Sequence, residues 1–156
     1  MGNLSEAARR RIAAVILIGG IAVGVLAIAD VGPFSDPPSE AERAQSAVEG
    51  FFAAAQDQDF KSVCGQLTAE EQRVVEQRAG SVAAQKGLEG CDEILKEFLG
   101  DQLAQTRIAK VVDVRVSGNQ AVVDANLRSP GVKGTRSATF HLFLIRDEWR
   151  IADFGV

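Results

Sequence analysis

The hydrophobic pattern divides this 156-residue chain into an apolar run, a helical region and a region of alternating residues. Residues 12–29 carry neither charges nor strongly polar side chains. Between residues 39 and 99, apolar positions recur every three or four residues, which is the helical period. After Gly100 they alternate with polar positions, as in half-buried strands. Helices followed by antiparallel strands predict an α+β domain in which the helices cover one face of a curved sheet.

The first helix is predicted from its capping residues and its apolar stripe. Ser39 is followed three residues later by Glu42, which is the spacing of a capping box. The helix is expected to end near Asp57. Its predicted buried stripe consists of residues at helical spacing, namely Ala44, Val48, Phe51, Phe52 and Ala55.

Three further helices are predicted before Gly100. Thr68 and Glu71 form a second capping box, so a helix should begin directly after Thr68. A short helix carrying Cys64 precedes it. In chain order, the three predicted helices span residues 59–67, 69–78 and 91–99.

Four strands are predicted after Gly100, and they span residues 112–116, 121–128, 139–145 and 149–154. Residues 129–136 are predicted to form a longer hairpin loop, and Asp147 and Glu148 are predicted to form the last turn. Alternation predicts one wholly apolar set on the side of the helices, made of Val112, Val114, Val116, Ala121, Val123, Ala125, Leu127, Phe140, Leu142 and Leu144.

The apolar run at residues 12–29 is predicted to cross a membrane. Eighteen helical residues extend about 27 Å, close to the hydrocarbon thickness of a bilayer. Three arginines precede the run, so residues 1–11 should stay in the cytoplasm and the domain at 39–156 should be extracytoplasmic. Cleavage after Ala29 would instead release a secreted protein, but the length of the run favours a signal anchor. Residues 30–38 contain three prolines and a glycine and are predicted to be a linker.

Charge and composition exclude several functions. The formal net charge is −4, whereas nucleic-acid-binding proteins usually present a basic face. Two cysteines and one histidine are too few for an ordinary structural zinc site. No nucleic-acid partner, metal or cofactor is therefore predicted.

The two cysteines, Cys64 and Cys91, lie on different predicted helices. In an extracytoplasmic compartment they would most simply form one disulfide. A redox-active pair is the alternative, although such pairs are usually close in sequence. Metal binding by both thiols and His141 is a further alternative.

Five segments taken together resemble one known superfamily. They read AVEGFFAAAQDQDF, VCGQLT, GCDEIL, VSGNQAVVDANL and FLIRDEWRIADF. This ordered set, over about residues 39–154, is similar to the NTF2-like superfamily, and more narrowly to small exported or membrane-anchored NTF2-like domains of actinobacteria. The resemblance implies a cystatin-like cone, formed by a bent antiparallel sheet with helices over its concave face. It also implies a dimer that pairs through the sheet. Superfamily members include isomerases, dehydratases and proteins without known activity, so the fold does not determine the function.

A pocket inside this cone would be lined by apolar side chains, namely Phe51, Phe52, Val114, Val123, Ala125, Phe140, Leu142, Trp149 and Ile151. We favour the interpretation that they simply fill the core, because aromatic residues at such spacing usually pack. Asp153 shares the side of Trp149 and Ile151 by alternation, which makes it the one candidate base. Acids at strand ends are usually solvated, so no catalytic site is predicted.

The opposite sheet face is expected to be amphipathic, since His141 alternates with Phe140 and Leu142. Its candidate interaction residues are Asp113, Arg115, Asp124, Arg128, His141 and Phe143. The sequence therefore favours a non-enzymatic, membrane-tethered interaction domain of the cell envelope, binding another envelope protein or a second copy. The alternatives are a carrier or sensor of an apolar small molecule, and an isomerase- or dehydratase-type enzyme that uses Asp153.

Overall fold

A computed structural model describes residues 37–154 of the chain. The predictions for residues 1–11, for the apolar run at 12–29 and for most of the linker at 30–38 lie outside the described residues. Within residues 37–154, none of the helices combines the length and the apolar character needed to cross a bilayer.

The described residues form four helices followed by a four-stranded antiparallel sheet, which confirms the predicted α+β class. The helices are α1 (Glu40–Gln56), α2 (Phe60–Gly65), α3 (Ala69–Lys86) and α4 (Cys91–Gln105). The strands are β1 (Arg107–Ser117), β2 (Gln120–Arg128), β3 (Arg136–Ile145) and β4 (Glu148–Asp153), and they lie side by side in chain order. The last turn consists of Arg146 and Asp147, one residue earlier than predicted.

Helix α1 has the predicted capping box and the predicted buried stripe. The Ser39 side chain accepts a hydrogen bond from the Glu42 backbone, and the Glu42 carboxylate accepts one from the Ser39 N–H at 2.7 Å. That backbone hydrogen bond is the main reason why the pKa of Glu42 is lowered. The buried residues of α1 are the five expected ones, Ala44, Val48, Phe51, Phe52 and Ala55.

Helix α3 is longer than its pattern predicts, and its second capping box is only half formed. Gly80 breaks the helical geometry with φ 41°, but the chain turns helical again and continues to Lys86. Thr68 Oγ1 accepts the Glu71 N–H as expected. The Thr68 N–H, however, donates to the Ile151 carbonyl at 2.8 Å, which joins the start of α3 to β4. The Glu71 carboxylate is therefore not needed as the partner of that N–H.

An irregularity in β1 makes one inward-facing prediction wrong. The register pairs Val111 with Ala125 and Asp113 with Asp124, which leaves Val112 as an extra residue in a bulge. Val112 is 56% exposed instead of facing the helices. A bulge adds one residue to a strand and so interrupts the alternation of faces.

The core lies between α1 and the inner face of the sheet. The Phe52 ring packs edge-on against Phe51 at 5.3 Å and against Phe140 at 5.8 Å between ring centres. The Trp149 indole N–H donates to the Glu40 carboxylate at 2.9 Å, which satisfies the polar atom of this buried side chain. Residues Pro38–Val156 form one compact unit that contains the whole of this core, so we expect this part of the chain to fold by itself.

The predicted disulfide between Cys64 and Cys91 is present, with Cα atoms 6.0 Å apart and a sequence separation of 27 residues. It joins α2 to the first residue of α4. Both cysteines are buried. Because the two sulfur atoms are bonded to each other, neither cysteine offers a thiolate to a metal ion in the oxidised protein.

Candidate interaction face and apolar groove

The sheet face directed away from the helices, called the outer face below, brings together most of the predicted interaction residues. The register places Asp113 beside Asp124 and aligns Arg115, Val122 and His141 across three strands. Arg128, at the far end of β2 and opposite Arg107, lies apart from this group.

The polar centre of the outer face is held by direct contacts. The Arg115 guanidinium binds the Asp113 carboxylate at 2.5 Å and the Asp124 carboxylate at 2.7 Å. The Thr139 hydroxyl donates to Asp124 at 2.6 Å. This hydrogen bond, followed by the contact with Arg115, lowers the pKa of Asp124. Exposed ion pairs add little stability, so the main consequence of this network is that three charged groups have defined positions.

Apolar side chains adjoin this polar centre. Phe143 is 38% exposed and Ile145 is 42% exposed, two and four residues along β3 from His141. Val122, opposite His141, is half-buried. The outer face is therefore amphipathic, as predicted, with an ordered polar cluster beside exposed aromatic and aliphatic side chains.

Asp153 is not where alternation places it. A register irregularity in β4 lets Ile151 pair with Leu142 while Asp153 pairs with His141. Asp153 is exposed, whereas Trp149 and Ile151 are buried. The prediction that Asp153 shares their side was wrong, because the irregularity interrupts the period of two between Ile151 and Asp153.

The residues predicted to line a cone pocket are core residues. Eight of the nine are buried, at 5% exposure or less. The ninth, Val114, is half-buried, and with Phe52 it borders an open cleft of about 810 Å³ between α1 and β1. Polar side chains such as Gln45, Glu49 and Gln56 also line that cleft, so it offers little enclosed apolar surface.

A groove between α3 and α4, called the α3–α4 groove below, was missed at the sequence level. Its volume is about 370 Å³. Its lining residues are Glu71, Val75, Arg78, Ala79, Val82, Ile94, Leu95, Phe98, Leu99, Gln102 and Phe154. The available signal was the helical spacing of Val75, Ala79 and Val82, which continues past the predicted end of α3.

One acidic side chain of the α3–α4 groove has an altered ionisation. Partial burial raises the pKa of Glu71, and the negative charge of Asp153 raises it further. Arg78 opposes this effect, and Glu70 adds slightly to it. The groove thus combines apolar walls with a partly buried carboxylate.

This raised pKa predicts a measurable pH dependence of stability. Protonated Glu71 favours the folded state. The contribution of protonated Glu71 to the free energy of unfolding is complete below the ordinary glutamate pKa. It is lost as the pH rises through the raised pKa of Glu71 in the folded protein. Glu71→Gln should remove this component, so the wild type should lose stability relative to the variant between about pH 4 and pH 7. Urea unfolding across this range measures the difference.

Glu76→Gln is the matched control, since Glu76 is an exposed acid on the same helix. It should keep the pH dependence of the wild type. Identical pH profiles for Glu71→Gln and the wild type would contradict the altered ionisation of Glu71.

Comparison with protein-family models and with curated proteins found no match to this sequence. The family of the chain therefore stays a prediction from its sequence, and the site is argued from its own geometry.

Proposed function

We propose that this protein is a membrane-tethered, extracytoplasmic interaction domain of the cell envelope, and that it binds a protein partner through its outer face. In this proposal residues 12–29 anchor the chain and residues 39–156 form an NTF2-like cone outside the cytoplasmic membrane. The partner is another envelope protein or a second copy of the chain. The proposal includes no catalytic activity.

The observation that carries the proposal is the contrast between the two faces of the sheet. The inner face is covered by helices, whereas the outer face exposes Phe143 and Ile145 beside the ordered cluster around Arg115. Protein interfaces typically combine aromatic and arginine side chains in this way. Because the polar groups already have defined positions, binding would cost little additional ordering.

The two edges of the sheet are less suited to pairing with another chain than its outer face. Edge strand β1 is interrupted by two register irregularities and carries charged residues, features that oppose edge-to-edge pairing. The free edge of β4 is bridged by the chain before α3, where the Ile151 N–H donates to the Gln66 carbonyl at 2.8 Å. These features favour contact through the outer face.

The chemistry of the outer face also favours binding over catalysis. His141 pairs with Val122 and Asp153 in the register, and a Ser–His–acid or Cys–His arrangement would need a nucleophile beside it. Asp153, the one acid considered as a base, is exposed and not set in an enclosed pocket. The enzyme hypothesis required Asp153 to face the inside of the cone beside Trp149 and Ile151, and the exposed position of Asp153 does not support it.

Phe143→Asp is expected to dissociate the complex that contains this protein. A buried carboxylate in place of an aromatic contact should weaken binding at least about thirty-fold, the usual scale of a central interface residue. The tagged full chain would be extracted from membranes in mild detergent and sized on a native gel. Wild type should migrate as a larger complex and Phe143→Asp as the chain alone.

Val132→Asp is the control, because it places the same charge on another exposed apolar residue, in the loop between β2 and β3. It should keep the complex. Urea unfolding establishes that both variants are folded. Migration of the wild type as the chain alone, or equal loss of the complex in both variants, would count against the proposal.

A further inference from the structure

The α3–α4 groove is an apolar surface built from two helices and anchored in the core. Val75, Ala79 and Val82 all line the groove, Val75 and Ala79 from the part of α3 before the break at Gly80 and Val82 from the part after it. On α4, Phe98 lies on the groove and is 43% exposed. Phe154 also lines the groove, and its ring packs against that of Phe51 at 5.7 Å. The floor of the groove is therefore continuous with the hydrophobic core.

The size of the groove suits a small molecule. Its volume of about 370 Å³ lies near the lower end of the range for small-molecule sites, about 300–1,000 Å³. Such sites typically combine apolar walls with a few placed polar groups. In this groove Glu71, Arg78 and Gln102 are the polar lining residues.

The charges at the groove favour a cationic ligand head. Glu71 is half-buried, whereas Arg78 is exposed, so the less solvated charge is the negative one. Asp153 adds a second negative charge near Glu71. An ammonium group placed beside Glu71 would compensate the partial desolvation of this carboxylate with a charge-assisted hydrogen bond. A ligand carboxylate at the same place would be repelled by both acids.

We propose that the α3–α4 groove binds a small soluble amphiphile with an apolar body against Val75, Val82 and Phe98 and a cationic amine beside Glu71. This site is separate from the outer face and does not depend on the interaction function proposed above.

The test compares n-octylamine with 1-octanol, two probes of equal chain length that differ in the charge of the head group. Residues 38–156 would be titrated with each probe, with affinity measured by calorimetry and the site located by amide chemical shifts. Octylamine should shift the signals of Val75, Phe98 and Phe154 and bind about ten-fold more tightly than octanol. Equal affinities, or shifts elsewhere in the domain, would overturn the proposal.

Two variants separate the apolar and the charged contributions. Glu71→Gln should weaken octylamine binding about ten-fold while leaving octanol binding within about two-fold of the wild type. Ala79→Phe should fill the groove and abolish the binding of both probes. Glu76→Gln, the exposed acid on the same helix, should leave both affinities unchanged. Unchanged octylamine affinity in Glu71→Gln would overturn the role of the carboxylate even if Ala79→Phe failed to fold.

Discussion

Replacing Cys64 and Cys91 together with alanine is expected to lower the free energy of unfolding by about 3.5 kcal/mol. The disulfide closes a loop with a sequence separation of 27 residues, and the expected loss is the chain entropy that the unfolded state regains when the loop opens. Urea unfolding of residues 38–156 under oxidising conditions measures the change.

Two comparisons test the origin of this loss. Wild type unfolded in the presence of a reductant should approach the stability of the double alanine variant, because both lack the covalent link. The variant itself should no longer respond to the reductant. A variant as stable as the oxidised wild type would contradict a stabilising role for this disulfide.

Phe140→Ala should destabilise the domain by about 3–5 kcal/mol, the usual cost of removing a fully buried aromatic side chain. Phe140 is completely buried on the inner face of β3, and its ring packs edge-on against Phe52. Truncation would lose both this contact and the burial of the ring, and it would leave a cavity under α1. The midpoint of urea unfolding should fall accordingly.

Phe143→Ala provides a control on the same strand. Phe143 is partly exposed on the outer face, so its truncation should cost less than about 1 kcal/mol. If the two variants had equal effects, the assignment of an inner and an outer face to β3 would be wrong.

Residues whose local pattern agrees with the tertiary structure were predictable. Ser39 and Glu42 predict the start of α1, because a capping box depends only on neighbouring residues. The buried positions of β2 follow from strict alternation along an uninterrupted strand. The disulfide between Cys64 and Cys91 followed from the predicted extracytoplasmic compartment and from the presence of just two cysteines in the sequence.

The sequence-based predictions fail where contacts between residues distant in the chain determine the structure. Val112 and Asp153 lie at or beside register irregularities, which depend on the neighbouring strand and have no signal in the alternation itself. The capping box at Thr68 is half formed because its N–H donates to Ile151, more than eighty residues away. The α3–α4 groove depends on how α3 continues past Gly80, a residue that locally predicts a helix end.

The most direct test of the interaction function is photo-cross-linking from position 143 in living cells. A photoreactive phenylalanine analogue would replace Phe143 in the full chain, and in a second strain it would replace Val132. The account predicts a discrete cross-linked product from position 143 and none from position 132, with a mass that identifies either a second copy or another envelope protein. Absence of a product at position 143, or equal products at both positions, would contradict binding through the outer face.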